Sequence, residues 1–393
     1  MNQLKISYGI IFIIITCGIF YSFYLGDELR YLDEKHYYQI AENLSSQFFY
    51  SRSGENPTAF RPPGYPVLLS AFMYIGADIV YLRILNFIFL GLCIILLAKV
   101  LEKLYSSRAA VISSGLILTY PVLFYTSGTL YPQIFATFLL LAFLFQLINK
   151  TPSIWLYILM GINYAILVLT VPVFLLLLPI IGIWGIYSNK DIKIKHLFVF
   201  SISLLITVGV WTTRNYLTFD SFVLTSSNVG KVLLLGNSEN TTPNSGTNAD
   251  ISKYKQETLG MNEIEKNKYY FSQAINFMLE DPVRIAELYV LKFINYFNYK
   301  NDIKTKNASS KAKELLMLVT YGILLGLLIL RILLFFRYKF SRFEVLLLLL
   351  YICSGLIYAF FFTRIRFRLP FDFLLIGMVA IFLDNLNYNM ENC

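Results

Sequence analysis

The sequence predicts an all-α protein, a polytopic membrane helical bundle of about ten spans. Amphipathic interfacial helices are expected in its first outer loop, and its second outer loop is long. Three observations predict this. Of 393 residues, 57% are hydrophobic and only 15% charged, with a mean hydropathy of +0.60; soluble domains run near 45–50% apolar and about 25% charged. Apolar runs of roughly 20 residues, the length that crosses a bilayer, recur along most of the chain. Two long stretches, 26–78 and 214–311, interrupt them, and every other connection is short.

The first run, "YGIIFIIITCGIFYSFYL", follows Lys5. Bulky residues stand where a signal peptide would need small ones for cleavage, so it reads as an uncleaved first helix. Hydropathy places further spans near 79–101, 109–126, 130–148, 154–169, 172–187, 197–213, 312–336, 343–362 and 369–386, after the first at 6–25. The fifth and sixth are short, and little more than Val171-Pro172 separates them. The chain thus divides into an N-terminal transmembrane module, 1–213, an extramembrane loop with interfacial helices, 214–311, and C-terminal transmembrane helices, 312–393.

The net charge of +9 is not a nucleic-acid signal, because much of it sits in short loops beside spans. There it sets topology and attracts anionic membrane lipid. With the N-terminus cytoplasmic, the inside loops carry Lys103 and Arg108, then Lys150, then Lys190, Lys193 and Lys195, then Arg337, Lys339 and Arg342. The short outside loops near 127–129 and 170–171 carry no charge, and both long segments face outward. One stretch breaks the rule: "TRIRFRLPFD", 363–372, puts Arg364, Arg366 and Arg368 on the outer face. A span count off by one would make these ordinary inside anchors. They would otherwise snorkel to headgroups, at about 1 kcal/mol each, or hold an anionic substrate at the rim. Cys17, Cys93 and Cys353 lie in apolar runs and Cys393 ends the chain, which gives neither a disulfide framework nor a CxxC site. His36 and His196 are too far apart in sequence to suggest an all-histidine metal site.

In the first outer segment, Asp33-Glu34 opens a helical pattern. Asp33, Tyr37, Ile40, Ala41 and Leu44 share one face. An acid in a first turn is stabilised by roughly 0.3–1 kcal/mol through the helix dipole, so Asp33 is either a helix cap or a catalytic carboxylate on spacing alone. Arg61-Pro62-Pro63-Gly64-Tyr65-Pro66 is a rigid corner, since proline fixes φ and holds the preceding residue extended. It leads into a short apolar helix expected at the interface, re-entering the bundle.

These motifs resemble the first outer loop of C-type membrane glycosyltransferases, in particular the bacterial relatives of protein O-mannosyltransferases and lipid A aminoarabinose transferases. The likeness continues through "TRNYLTFDSFVLTSSNVGKVLLLGN", with Arg214-Asn215 and Gly236-Asn237, through "AINFMLEDPVRIAELYVLKFINYF", and ends in "RFRLPFD" with Asp372. Many relatives carry a glutamate near the start of the fourth span; here "GTLYPQIF" has Pro132-Gln133 and no acid. The chain also ends soon after its last span, so no soluble C-terminal domain is expected. The resemblance implies transfer of a sugar from a polyprenyl-phosphate donor to a glycan, lipid or protein hydroxyl. It implies a bacterial cytoplasmic membrane with the site facing outside, and it leaves room for a divalent metal without requiring one.

That chemistry needs a carboxylate to take the proton of a weakly nucleophilic hydroxyl, a role assigned to Asp33, with Glu34 orienting the acceptor or capping the turn. The leaving phosphate needs cations, and arginine's planar fork suits its oxygens. Arg366 and Arg368 are the expected donor-phosphate ligands, with Arg364 beside them on an extended stretch that Pro370 stops before the last helix. Arg214 contacts phosphate or flanks its helix, and Arg61 does the same or braces the corner. Asn237 bonds a sugar hydroxyl or closes a turn. Tyr37, Tyr65 and Asn215 are carried as substrate-binding positions by resemblance. The polar stretch "GNSENTTPNSGTNADISKYKQE" reads as a mobile loop that orders as a lid, and the helices after it as lying on the outer leaflet. Two rival functions remain: a flippase or transporter of lipid-linked saccharides, and a surface-polysaccharide polymerase or ligase using a diphosphate carrier.

Overall fold

A computed structural model describes residues 2–149, 153–188, 193–300 and 311–391. Lys150, Lys190 and Cys393 lie outside the described residues. The chain builds α1 (Asn2–Leu25), α2 (Leu32–Gln47), α3 (Gly64–Tyr74), α4 (Ile79–Leu104), α5 (Ser107–Leu118), α6 (Pro121–Ser127), α7 (Gln133–Leu147), α8 (Ile154–Thr170) and α9 (Val173–Ser188). It continues with α10 (Ile194–Phe219), α11 (Val229–Asn237), α12 (Ser252–Glu257), α13 (Glu263–Glu280), α14 (Pro282–Tyr296), α15 (Lys311–Leu333), α16 (Arg342–Phe360) and α17 (Ile365–Glu391). No strand forms among the described residues.

Six of these helices, α1, α4, α10, α15, α16 and α17, are long and apolar enough to cross a membrane, and α5 with α6 makes a seventh, bent by 67°. The bend falls where Pro121 opens α6, because proline cannot donate to the preceding turn. Three shorter apolar helices, α7, α8 and α9, complete the bundle. The protein is an integral membrane protein. One apolar core runs from Ile11 to Ile381, and α17 is buried along most of its apolar length, packed on α5, α7, α15 and α16. Helices α10 and α15 leave most of their surface uncovered, as lipid-facing helices do.

The basic short loops gather at one end of the bundle. Tyr105 meets Ser341, Ser106 Oγ donates to Asp384 at 2.6 Å, and Trp184 Nε1 donates to the Arg342 carbonyl at 2.7 Å. Both long connections lie at the opposite end, joined to each other through Glu263. Its carboxylate accepts from Thr58 Oγ1 at 2.6 Å, from the Ala59 N–H at 2.8 Å and from Ser227 Oγ. The short helix α3 packs on α2 and α8. Gly64 opens it because a Cβ there would lie 2.2 Å from Thr170 Oγ1.

Two expectations are corrected here. The stretch after Leu369 is not where the last helix begins: α17 starts at Ile365 and carries Pro370 within it. As the sixth residue of α17, Pro370 lies past the partnerless first-turn N–H groups, so the helix forgoes the one bond that would run to the Arg366 carbonyl. The polar 236–257 stretch is not a free loop either. Ser238 and Thr241 bond to one another, and Arg284 of α14 donates to the carbonyls of Ser238 and Glu239 at 3.2 and 3.0 Å. A small apolar cluster of Leu234, Ile251, Tyr254 and Ala274 seals it.

Candidate active site

Helix α2 presents Asp33 in its first turn, with Tyr37, Ile40 and Ala41 buried on the same face. The two carboxylate oxygens of Asp33 point to different arginines. Oδ1 accepts from Arg61, and Oδ2 pairs with Arg366 Nη2 at 2.6 Å. Burial alone would raise the Asp33 proton affinity, but the Arg366 and Arg61 charges reverse this and hold it well below the usual carboxylate range. Asp33 and the two arginines each keep part of their side chains exposed, so the cluster is accessible.

Each cation has an aromatic support. The Arg61 guanidinium lies 5.0 Å from the centre of the Tyr37 ring and 5.3 Å from that of Phe60. Arg366 lies 5.0 Å from Tyr131, which stacks on Tyr31. Tyr50 hydroxyl donates to the Arg61 carbonyl at 2.9 Å, fixing the proline-rich corner from behind. Tyr37 therefore backs the site, while Tyr65 is fully buried beneath it, edge-on to Tyr37 and bonded to Asn86.

Several expected site residues are structural. Glu34 is fully buried and accepts from the N–H groups of Arg30, Tyr31 and Leu130 at 3.1, 3.0 and 2.9 Å. It closes the start of α2, as the capping alternative expects, and ties it to the turn before α7. Arg368 is fully buried: it pairs with Asp372 at 2.9 Å, donates to the carbonyls of Tyr296 and Asn298, and lies 3.5 Å from the centre of the Tyr321 ring. The expected extended stretch would have pointed Arg366 and Arg368 the same way. On a helix, residues two apart point about 200° apart, which sends one to the site and the other into the core.

Arg364 donates to the Ser245 carbonyl at 2.9 Å and braces the second long connection rather than the Asp33 cluster. Arg214 donates to the carbonyls of Thr58 and Tyr50 at 2.9 and 3.2 Å, anchoring the first connection to α10. Asn215 is buried and bonds the Val223 carbonyl at 2.9 Å. Asn237 donates to the carbonyls of Leu233 and Phe360, and Lys292 donates to Asn237 Oδ1 and to the Phe361 carbonyl. Gly236 makes this junction feasible, since a Cβ there would lie 1.9 Å from the Phe361 oxygen. These contacts steady the short connection that leads into α17, the helix from which Arg366 projects.

Sequence reasoning missed Tyr131, His36 and Lys231. Tyr131 lay within the stretch singled out for its lack of an acid, and Pro132 after it was the available signal. Gln133, at that position, is buried in the first turn of α7. Among the described residues no three His, Cys, Asp or Glu side chains come together as a metal set, and Asp33 already spends both oxygens on arginines.

No family model matches the chain, and no curated protein matches it in sequence. Solved structures share its architecture. The crystal structure of the Archaeoglobus fulgidus oligosaccharyltransferase in the apo form matches with a TM-score of 0.57 at 15% identity, covering 99% of this chain and 52% of that one. The chain shares the fold of this oligosaccharyltransferase. The archaeal oligosaccharyltransferase AglB from the same organism, in complex with an inhibitory peptide and a dolichol-phosphate, matches at 0.55 and 15% identity, over 100% of this chain and 52% of that one. The chain thus spans about half the length of these two structures. ArnT from Cupriavidus metallidurans bound to undecaprenyl phosphate matches at a TM-score of 0.40 and 12% identity, over 97% of this chain and 77% of that one.

Proposed function

We propose that this protein is a glycosyltransferase that moves a sugar from a polyprenyl-phosphate-linked donor to a hydroxyl acceptor on the extracytoplasmic side of a bacterial cytoplasmic membrane. The observation that carries this reading is the Asp33 carboxylate, from the segment after α1, held between Arg61 and Arg366, the latter from the start of the last helix. One acid and two guanidinium groups on one patch are what transfer from a phosphate leaving group requires.

In the proposed reaction the acceptor oxygen attacks the anomeric carbon while the bond from that carbon to the phosphate oxygen breaks. The bonding pair leaves on the phosphate, where Arg366 and Arg61 hold it with charge-assisted hydrogen bonds, roughly 1.5–3 kcal/mol each. The acceptor proton passes to Asp33. Paired with two cations, Asp33 is a weak base. A donor phosphate that draws one arginine away raises its proton affinity, so donor binding readies the base. The outward orientation is supported by the basic short loops lying at the opposite end of the bundle.

The test is Asp33→Asn in a reconstituted assay of transfer from a lipid-linked sugar. Loss of general-base assistance lowers turnover about 10²–10⁴-fold. Undiminished turnover in well-folded protein removes Asp33 from the role.

A further inference from the structure

Beside Asp33, on the Arg61 side, positive charge exceeds what one phosphate needs. The His36 ring lies between two guanidinium groups, with Nδ1 3.5 Å from Arg61 Nη2 and Nε2 3.4 Å from Arg52 Nη1. Phe60 is flanked by Arg61 and by Lys231, whose ammonium is 5.4 Å from the ring centre. Among the described residues neither Arg52 nor Lys231 has an ion pair, and Asp33 is the one carboxylate paired with the cluster. Arg61 also keeps its Nε–H buried without an acceptor. Arg52 is exposed, whereas Arg61, His36 and Lys231 are part-buried, and like charges drawn together there are unfavourable unless an anion joins them.

We propose that Arg52, Lys231 and His36 extend the Arg366–Arg61 phosphate site into a second anion subsite, with Arg61 shared between the two, so that the site takes two phosphoryl groups at once. This rests on the donor-phosphate reading of Arg366. The second group is either the outer phosphate of a diphosphate carrier or a phosphate on the acceptor. Asp33 lies between the two subsites, one oxygen toward each, where it meets a hydroxyl approaching between them.

The experiment measures binding of undecaprenyl phosphate and undecaprenyl diphosphate to the full chain in phosphatidylcholine nanodiscs. Wild-type protein is expected to bind the diphosphate at least tenfold more tightly. The Arg52→Gln, Lys231→Met pair is expected to bring that ratio near one while keeping monophosphate affinity, which also reports that the variant is folded. In a second arm, protein saturated with undecaprenyl phosphate is titrated with glycerol 3-phosphate. If the diphosphate has no advantage but glycerol 3-phosphate binds and the double variant abolishes this, the second phosphoryl group belongs to the acceptor. Equal carrier affinities with no glycerol 3-phosphate binding overturn the second subsite and leave the Arg366 reading intact, as does a double variant that changes neither measurement. Failure of both carriers to bind overturns both.

Discussion

Arg366 and Arg368 stand two positions apart on α17 and turn opposite ways. Arg366 meets Asp33 at 2.6 Å on an accessible patch, and Arg368 meets Asp372 at 2.9 Å with neither side chain exposed. Tyr120 hydroxyl adds a bond to Asp372 at 2.9 Å, so the inner pair joins α17 to the connection between α5 and α6.

The two arginines should therefore fail differently when replaced. Arg368→Gln leaves Asp372 buried without its cation, a defect that costs about 3–5 kcal/mol, and should lower the thermal midpoint in detergent. Arg366→Gln should leave that midpoint near wild type and raise KM for the lipid-linked donor. Equal destabilisation by both would remove the distinction drawn between them.

Asp33 competes with a bound phosphate for the same guanidinium groups. Asp33→Asn should therefore bind undecaprenyl phosphate more tightly than wild type even as transfer is lost. Equilibrium binding in nanodiscs measures this, and weaker binding would mean that Asp33 helps hold the carrier instead of standing in its place.

His36 supplies a pH dependence. Burial, then the charges of Arg61 and Arg52, lower its pKa from 6.5 to about 4. Between those values the unfolded chain binds a proton that the folded chain does not, so stability falls as pH falls through this window. His36→Asn should flatten that part of the curve, read from unfolding midpoints at pH 7, 5.5 and 4.5. An unchanged slope would show that His36 titrates in the fold as it does in the unfolded chain.

The spans, the two long connections and the sorting of basic loops to one end were legible in the chain because each depends on local composition. A run of apolar residues must be helical and embedded wherever it packs, and lysines beside it declare a side. Arg366 stood out in the sequence as a charge that breaks the topology rule, whereas Asp33 fits a helix first turn and was set apart by the resemblance. Glu34, Arg214, Asn215 and Arg364 carry the same residue types in the same motifs, yet their contacts are with backbone groups brought in from distant segments, and no local pattern contains that information.

The amino-acid sequence by itself determined a membrane bundle and set an acid and an arginine-rich stretch apart from its spans. Tertiary structure decided which charges reach one another. Starting α17 at Ile365 instead of beyond Leu369 turned Arg368 into the core and left Arg366 for Asp33. The folding of the first connection brought Arg61, His36 and Arg52 together, and the second connection added Lys231. The physical reason is range: hydropathy acts through a residue's own neighbourhood, whereas an ion pair is fixed by the packing of segments far apart in the chain.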